Sequence, residues 1–400
     1  MVPEGWVKRD LQGLVTIKHG FAFKSEFFAS EGELVLLTPG SFYESGGFRD
    51  QGDKTKYYVG DIPKGYLLEK GDMLIAMTEQ AEGLLGSALF VPASNKYLHN
   101  QRLGLVKITQ PDRVCLDYLY LFFNFPTSRR QIAEQSTGTK VKHTSPDRLC
   151  SVVGLVPPLP EQKKIAKILS TWDKAITATE QLLANSQQQK KALMQQLLTG
   201  KKRLLDKDGV RFGGEWKTFH LSSTANIVMG SSPKSEAYNE DGIGLPLLQG
   251  NADIKNRRSS PRVYTSEITK ECEIGDILLS VRAPVGTVAL SEHKACIGRG
   301  IAALKAKGEF YHDFIYQWLL WFEPRWISLS QGSTFESINS DDIKNLRIVS
   351  PDLEEQQKIA TVLSAAEQEI NALKKNLDAL KQEKRSLMQA LLSGKRRVKL

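Results

Sequence analysis

Two stretches of the chain carry the same helical pattern of apolar residues. One begins at Glu161 and the other at Glu355, 194 positions later, and they stay in register over 43 residues without a gap. Apolar side chains recur in both at steps of three and four, with one extra step of four. This spacing predicts two long amphipathic helices of the coiled-coil kind. Each is expected to end at a glycine, Gly200 or Gly394, followed by a basic cluster.

A repeated apolar stripe can pack against its own copy. Length alone allows either direction, because a globular stretch separates the two copies. Antiparallel packing would relate the two halves of the chain by a pseudo two-fold axis, and this is the arrangement that we expect. Lys190 and Lys384 interrupt the stripe at the same position of the repeat. They either extend along the helix surface towards solvent, act as a polar device that fixes the register, or contact a partner.

The repeat extends into the segments before the helices. KGDMLIAMT around Asp72 matches IGDILLSVR around Asp276, and NQRLGLVKI matches IGRGIAALK. Short runs of Val, Ile and Leu between glycine turns, with aromatic helices near the end, indicate a mixed α+β domain of about 150 residues. The predicted fold is therefore two tandem mixed domains separated by two long helices. The predicted segments are 1–156 (domain 1), 157–204 (helix 1), 205–349 (domain 2) and 350–400 (helix 2).

The charge is unevenly placed along the chain. The net charge is +9, yet segments 1–156 and 205–349 carry 18 basic against 17 acidic and 17 basic against 18 acidic residues. The surplus lies in the helical segments, so a polyanion-binding surface on the domains has to be local. The four cysteines have no metal-like spacing, and no apolar run is long enough to cross a bilayer. We expect a cytoplasmic protein with reduced thiols.

Four stretches make the pattern recognisable. They are the two helix starts, PLPEQKKIA and DLEEQQKIA, the stretch GDILLSVRAPVGTVAL from Gly275, and the stretch QGSTFESINSDDIKNL from Gln331. The chain resembles the specificity (S) subunit of type I restriction–modification enzymes over essentially its whole length. The resemblance implies that each domain is a target-recognition domain that reads one half of a bipartite DNA site. It departs in the first copy, where MTEQAEGLLGSALF carries four extra residues.

The resemblance also implies partners. The helices would set the spacing of the two domains and dock two methyltransferase (M) subunits, and restriction (R) subunits would join this core. No cofactor is expected in this chain, since S-adenosylmethionine, ATP and Mg²⁺ would be bound by the partners. The helix residues assigned to the subunit interface are Glu161, Gln162, Ile165, Leu169, Trp172, Ile176, Leu193, Leu197, Glu355, Gln356, Ile359, Leu363, Ile370, Leu377, Leu387 and Leu391.

Candidate DNA contacts fall in loops. The polar loop before the last strand of each domain combines groups suited to phosphates and to base edges. Cations at matching positions of both copies favour a shared phosphate contact or an intradomain ion pair, whereas cations found in one copy fit base discrimination or solubility. The candidates are Lys24, Arg102, Lys140, Lys142, His143, Lys234, Arg257, Arg258, Arg282, Arg299, Gln331, Ser333, Thr334 and Ser337.

A catalytic site is not expected. Pro146-Asp147 with Glu161 and Lys163 has the outline of a metal-dependent nuclease, but in the second copy Ser340 replaces the proline and Gln357 the lysine. No methylase motif, dinucleotide fingerprint or Walker loop occurs, and the histidines form no metal spacing. The sequence thus favours a non-catalytic DNA reader. The alternatives are a stand-alone DNA-modifying enzyme and a coiled-coil interaction protein that does not bind DNA.

Overall fold

A computed structural model describes residues 2–79, 81–138, 141–330 and 337–400. The chain divides into two compact units. Unit 1 consists of Met1–Ala178 with Leu377–Leu400, and unit 2 is Thr179–Asn376. Each unit therefore contains one mixed domain and half of each long helix.

Unit 1 has three small sheets. A four-stranded antiparallel sheet has the order β2-β10-β7-β8, a five-stranded sheet has the order β3-β5-β4-β9-β6 with a parallel β4–β9 pair, and β1 pairs with β11. The strands are β1 Val7–Arg9, β2 Val15–His19, β3 Phe28–Ala29, β4 Val35–Leu37, β5 Tyr57–Tyr58, β6 Leu67–Leu68, β7 Met73–Ala76, β8 Ala88–Phe90, β9 Tyr97–His99, β10 Leu103–Ile108 and β11 Gly154–Val156. The helices are α1 Leu116–Asn124, α2 Pro126–Glu134, α3 Pro146–Cys150 and the first half of α4 Leu159–Leu197.

Unit 2 repeats this plan. Its sheets have the orders β13-β23-β20-β21-β17-β16 and β14-β18-β15-β22-β19, again with one parallel pair in the five-stranded sheet (β15–β22), and β12 pairs with β24. The strands are β12 Lys217–His220, β13 Ala225–Met229, β14 Tyr238–Asn239, β15 Leu245–Leu248, β16 Ile254–Lys255, β17 Arg258–Ser259, β18 Val263–Thr265, β19 Glu271–Cys272, β20 Ile277–Ser280, β21 Val288–Leu290, β22 Ala295–Ile297, β23 Ile301–Ala306 and β24 Arg347–Ser350. The helices are α5 Leu221–Thr224, α6 His312–Ser330, α7 Ser340–Lys344 and α8 Leu353–Leu392.

The long helices pack antiparallel. In unit 1, Ile165 and Leu169 near the start of α4 share a core with Leu391 near the end of α8. In unit 2 the roles are exchanged, and Leu197 at the end of α4 lies in the same core as Ile359 near the start of α8. The start of each helix therefore packs with the end of the other, as the duplicated stripe led us to expect. The helices lie within the predicted segments 157–204 and 350–400. The division of the whole chain into four segments stays a prediction.

A buried carboxylate fixes each of these junctions. Glu161, in the first turn of α4, accepts hydrogen bonds from the Arg397 guanidinium (2.9 Å from Nε to Oε2) and from Trp6 Nε1 (3.2 Å). Glu355 in α8 accepts two from Arg203, both 2.6 Å, and one from the indole of Trp216 at 3.2 Å. Both carboxylates are buried. The repeat thus places the same carboxylate–guanidinium–indole cluster in both units.

The glycine that ends each long helix aims the arginine at its carboxylate. Gly200 (φ +68°) and Gly394 (φ +71°) adopt the left-handed conformation that reverses the chain. The N–H of Lys202 then bonds to the carbonyl of Gln196, and the N–H of Arg396 to that of Ala390, both at 3.1 Å. The basic clusters after the helices therefore contribute a specific ion pair within each unit, in addition to any effect on the helix dipoles.

The two lysines that interrupt the stripe form ion pairs across the helices. Lys190 Nζ lies 3.1 Å from Glu367 Oε2, and Lys384 pairs with Asp173. Both lysine side chains are largely buried, with 13% and 22% of their surface exposed. Asp173 and Glu367 occupy the same position of the repeat, so the pairs are equivalent. This geometry favours the register device over the solvated alternative.

Most of the proposed subunit-interface residues are buried within the units. The buried ones are Glu161, Gln162, Ile165, Leu169, Leu197, Glu355, Gln356, Ile359, Leu363, Ile370, Leu377 and Leu391, and the half-buried ones are Trp172, Ile176, Leu193 and Leu387. Their neighbours within each unit already occupy them, because the repeat uses the stripe to hold the helices to each other and to the domains. A contact of any of them with another subunit stays a prediction.

We expect Glu161→Gln to remove a pH-dependent part of the stability. Hydrogen bonds from Arg397 and Trp6 hold the pKa of Glu161 below its usual value, against the opposing effect of burial. A carboxyl group with a lowered pKa stabilises the fold above its unfolded pKa of about 4.3, and this stabilisation is lost as the pH falls towards the lowered value. Urea midpoints should thus differ between wild type and variant at pH 7 and converge towards pH 3.5. The exposed Glu31→Gln is the control, and a constant difference at all pH values would contradict the assignment.

Candidate nucleic-acid interface

Three segments of unit 1 lie side by side beyond the end of β7. The Met77 N–H donates to the Arg102 carbonyl (2.9 Å), the Thr144 N–H to the Met77 carbonyl (3.0 Å), and the Glu79 N–H to the Lys142 carbonyl (2.9 Å). We call this set, residues 77–79, 99–102 and 141–144, the unit 1 edge. It brings together Arg102, Lys142 and His143, which are far apart in sequence.

Unit 2 forms the same arrangement beyond β20. The Val281 N–H donates to the Gly300 carbonyl and the Ile338 N–H donates to the Val281 carbonyl, both at 2.9 Å. Arg282 forms an isolated antiparallel bridge with Ser337, as Thr78 does with His143 in unit 1. The unit 2 edge therefore consists of residues 281–283, 297–300 and 337–339. In both units the central segment lies between a turn that carries an arginine and the segment before a short helix.

In the unit 1 edge Arg102, Lys142 and His143 are exposed, whereas Thr78 is buried. Thr78 Oγ1 lies 3.2 Å from His143 Nδ1, and Lys142 Nζ is 4.0 Å from Glu79 Oε2. The Arg102 backbone is fixed by an N–H bond to Asn100 Oδ1 (2.9 Å), while its side chain is exposed. Such a surface offers cations for phosphate oxygens and an imidazole for base edges.

The unit 2 edge has different side chains on the same frame. Arg282, Arg299 and Ser337 are all exposed. The Arg299 backbone N–H donates to Ser232 Oγ (3.1 Å), and its Nε lies 3.4 Å from the same oxygen. The arginine of the turn is thus common to both edges, whereas the facing pair is Thr78 with His143 in unit 1 and Arg282 with Ser337 in unit 2.

Lys24 and Lys234 each precede a short 3₁₀ turn, Ser25–Phe27 or Ser235–Ala237. Lys24 is exposed and 3.6 Å from the exposed Glu26, a separation at which a surface ion pair is weak. Lys234 is also exposed. The chain that leads to Lys24 runs beside the arginine turn, because the Gln101 N–H donates to the Phe21 carbonyl at 2.9 Å. Both lysines therefore present an exposed ammonium group, which a phosphate contact requires.

Arg257, a candidate DNA contact, makes contacts within unit 2 that the sequence did not reveal. Its guanidinium donates to the Val288 carbonyl (3.1 Å) and pairs with Glu323 of α6, so it joins a hairpin turn to a strand and a helix. The Arg257 side chain is also 41% exposed, and its contact with DNA stays a prediction. Arg258 is exposed and lies 3.8 Å from Glu292. Lys140, Gln331, Ser333 and Thr334 lie outside the described residues.

Sequence reasoning missed His99, the buried first residue of the segment 99–102 of the unit 1 edge. Its side chain is fully buried, and Nε2 lies 2.9 Å from the Leu103 carbonyl. Burial lowers the pKa of His99 to about 4, so the ring is neutral at pH 7. The matching residue of unit 2, by position in the parallel strand pair, is Ile297. A buried histidine in an apolar strand gives no sequence signal that distinguishes it from a surface one.

Two glycines hold the arginine turns in place. A Cβ on Gly20 would lie 1.9 Å from the Asn100 carbonyl oxygen, and one on Gly230 would lie 2.2 Å from that of Gly298. These are main-chain atoms of the turns that carry Arg102 and Arg299, and they cannot be displaced without moving the turn. Gly20 and Gly230 also occupy matching positions of the repeat.

A catalytic centre finds no support at the residues that resembled one. Glu161 of the nuclease-like outline is buried and bonded to Arg397 and Trp6. Among the described residues, no group of three or more His, Cys, Asp or Glu side chains is placed to hold a metal ion. Within the same residues, no helix has the length and apolar character needed to span a membrane.

Comparison with known proteins decides the family. The sequence profile of the type I restriction modification DNA specificity domain matches residues 3–185 and 213–382, one match for each half of the chain. The chain belongs to this family of DNA specificity subunits. The family is the non-catalytic, DNA-specificity component of type I restriction–modification systems.

Relatives match along most of this specificity subunit. A Methanocaldococcus jannaschii protein, provisionally named type I restriction enzyme MjaX specificity subunit, is 30% identical over 419 aligned positions that cover 100% of this chain and 95% of its own. The Escherichia coli EcoBI specificity subunit is 24% identical, covering 90% of this chain and 78% of its own.

Solved structures share the fold. The S subunit from M. genitalium superposes with a TM-score of 0.65 at 15% identity, covering 98% of this chain and 96% of that one. A chain from a study of assembly and conformational transition of a type I R-M system superposes with a TM-score of 0.61 at 24% identity, covering 98% and 99%.

We expect Gly20→Ala and Gly230→Ala each to weaken DNA binding by about tenfold or more. Each added methyl group displaces a main-chain turn that carries a candidate DNA contact. The expected loss is that of one good base or phosphate contact. The measurement is fluorescence anisotropy of the full chain with duplex DNA, alongside circular dichroism. Gly213→Ala is the control, since a Cβ there meets no atom within 4 Å. Wild-type affinity in both variants would show that the turns do not matter for DNA.

Proposed function

We propose that each unit reads one half of a bipartite DNA site through its edge. The observation that carries the proposal is that two diverged domains keep one frame, one glycine and one exposed arginine, while the facing pair differs. A shared arginine suits phosphate contacts, which position a protein on DNA without reading sequence. Differing side chains on the same frame suit the choice of different bases.

The base chemistry available to the two edges differs accordingly. An exposed arginine such as Arg282 can donate two parallel hydrogen bonds to guanine in the major groove. The exposed His143 instead offers an imidazole nitrogen, which donates or accepts, while the buried Thr78 hydroxyl lies against the other ring nitrogen. We therefore expect the half-sites to be unlike, with unit 2 favouring a guanine-containing contact.

Partners supply the chemistry in this proposal. The specificity subunit holds DNA while two methyltransferase subunits dock on the helical region, and restriction subunits join that core. S-adenosylmethionine, ATP and Mg²⁺ are bound by those partners. The exposed faces of α4 and α8 are available for docking, because the stripe residues are used within each unit. A chain of the same fold comes from a study of complex assembly in a type I R-M system, which supports the expectation of partner subunits in general.

Exchange of one recognition domain tests the modular part. A chain in which residues 205–349 are replaced by the corresponding segment of another specificity subunit is expressed with the methyltransferase partner. Methylated sites are then mapped genome-wide for the wild type, the exchanged chain and a deletion strain. We expect one half of the methylated site to change and the other half to stay the same. A change in both halves, or in neither, would contradict independent reading.

Arginine truncation tests the phosphate contacts. Arg102→Ala and Arg299→Ala should each weaken binding to all duplexes similarly and reduce the slope of log affinity against log salt by about one. Titrations of the full chain at several salt concentrations give both quantities. Lys174→Ala, which removes an exposed cation of α4, is the matched control. An unchanged slope in the arginine variants would remove these residues from the interface.

A further inference from the structure

Arg129 of α2 reaches the main chain of two loops in unit 1. Its Nε donates to the Leu85 carbonyl (2.9 Å), its Nη1 to the Glu44 carbonyl (3.1 Å), and its Nη2 to the carbonyl of Gly83. Burial lowers the pKa of Arg129 to about 10, so the group is still a cation at pH 7. A half-buried guanidinium that uses all three nitrogens on carbonyls is a fixed support for the loops that supply them.

One of these loops is where the two units differ in length. Between the first residue of the central segment, Met77 or Val281, and a shared glycine, the sequence has residues 78–85 in unit 1 and only residues 282–285 in unit 2. The glycines, Gly86 (φ +77°) and Gly286 (φ +87°), have the same conformation, and their N–H groups donate to the Ala76 and Ser280 carbonyls, both at 2.8 Å. The four extra residues are thus confined to a loop whose two ends match in both units.

The longer loop is joined directly to the unit 1 edge. Glu79 Oε1 accepts a hydrogen bond from the Gly83 N–H (3.0 Å), and the Glu79 N–H donates to the carbonyl of Lys142, beside His143. Leu84 and Leu85 are buried and anchor the loop, whereas residues 81–83 are exposed. The exposed tip is therefore held between Arg129 on one side and the edge on the other.

In unit 2 the shorter loop, residues 282–285, has a different kind of support. There the arginine, Arg257, comes from the hairpin turn and reaches the Val288 carbonyl and Glu323 of α6. It bonds one carbonyl next to the shorter loop, whereas Arg129 bonds three in two loops. The support provided by Arg129 is accordingly specific to the longer loop.

We propose that the loop between Met77 and Gly86, through its described residues 78, 79 and 81–85, is a specificity-determining element for the half-site that unit 1 reads, and that Arg129 is its positioning residue. This inference rests on the proposed function. The tip adds a carboxylate, Glu82, to the surface beside the edge, and carboxylates accept hydrogen bonds from the amino group of cytosine. Arg129 acts only through the loop and is not itself directed at DNA.

The test uses the full chain with its methyltransferase partner and genome-wide mapping of methylated sites. Arg129→Ala is expected to lower base discrimination by about tenfold or more in one half of the site, the size of a lost base contact, and to leave the other half unchanged. Arg129→Lys should behave similarly, since an ammonium group cannot span three carbonyls. Arg130→Ala, an exposed neighbour on the same helix, should match the wild type.

A loop graft separates positioning from simple destabilisation. Residues 78–85 are replaced by the four residues from Arg282 to Val285, which fit the same glycine. The graft should change preference in the unit 1 half-site only, and Arg129→Ala in the graft should have no further effect on discrimination. Arg129→Ala alone could abolish methylation altogether. In that case the variant that combines the graft with Arg129→Ala is the test, because the proposal requires this combined variant to methylate DNA.

Each remaining outcome contradicts one proposal or the other. Equal loss of discrimination in both halves, no change on grafting, or an inactive combined variant would overturn the role of the loop and of Arg129. A wild-type chain whose deletion alters no methylated site would instead overturn the proposed function. If the wild type methylates specific sites and Arg129→Ala shows the same base discrimination, only the positioning role of Arg129 is contradicted.

Discussion

The fold depends on a carboxylate buried at the start of each long helix and bonded to an arginine from the end of the other. A buried carboxylate is costly without a partner, and a guanidinium that donates two hydrogen bonds is the partner that best offsets this cost. Because Arg397 reaches Glu161 and Arg203 reaches Glu355, each junction requires antiparallel helices. The indoles of Trp6 and Trp216 join the same carboxylates and so attach each domain to its junction.

The ion pairs in the middle of the helices strengthen this choice of direction and register. Lys384 meets Asp173 and Lys190 meets Glu367, and a shift by one turn would separate both pairs and leave partly buried charges without partners. Such pairs add little net stability but penalise alternative alignments. Gln162 and Gln356 extend the contacts into the domains, since each accepts a backbone N–H from the domain, that of Cys115 or of Tyr311. A rigid junction in each unit gives its edge a fixed base.

Much of this could be predicted from the sequence, because duplication makes helices, glycine ends and matching strands visible in the chain itself. Gly20 and Gly230 align, and the structure shows the close main-chain approach that explains them. Arg203 and Arg397 were visible only as basic clusters, since nothing in the sequence shows that a left-handed glycine turns them onto a distant carboxylate. Arg257 was a candidate DNA contact in the sequence, and only the tertiary structure reveals that its guanidinium also bonds the Val288 carbonyl and Glu323. Likewise, nothing in the sequence shows that Arg129 donates to the carbonyls of two loops.

The most direct test of the account is the direction of the paired helices, measured by lysine cross-linking of the full chain followed by mass spectrometry. Lys163 and Lys164 at the start of α4 should link to Lys395 or Lys399, and Lys201 or Lys202 should link to Lys358 near the start of α8. This is the pattern that the two arginine–carboxylate clusters require. A map in which Lys164 links instead to Lys358, start to start, would contradict the account.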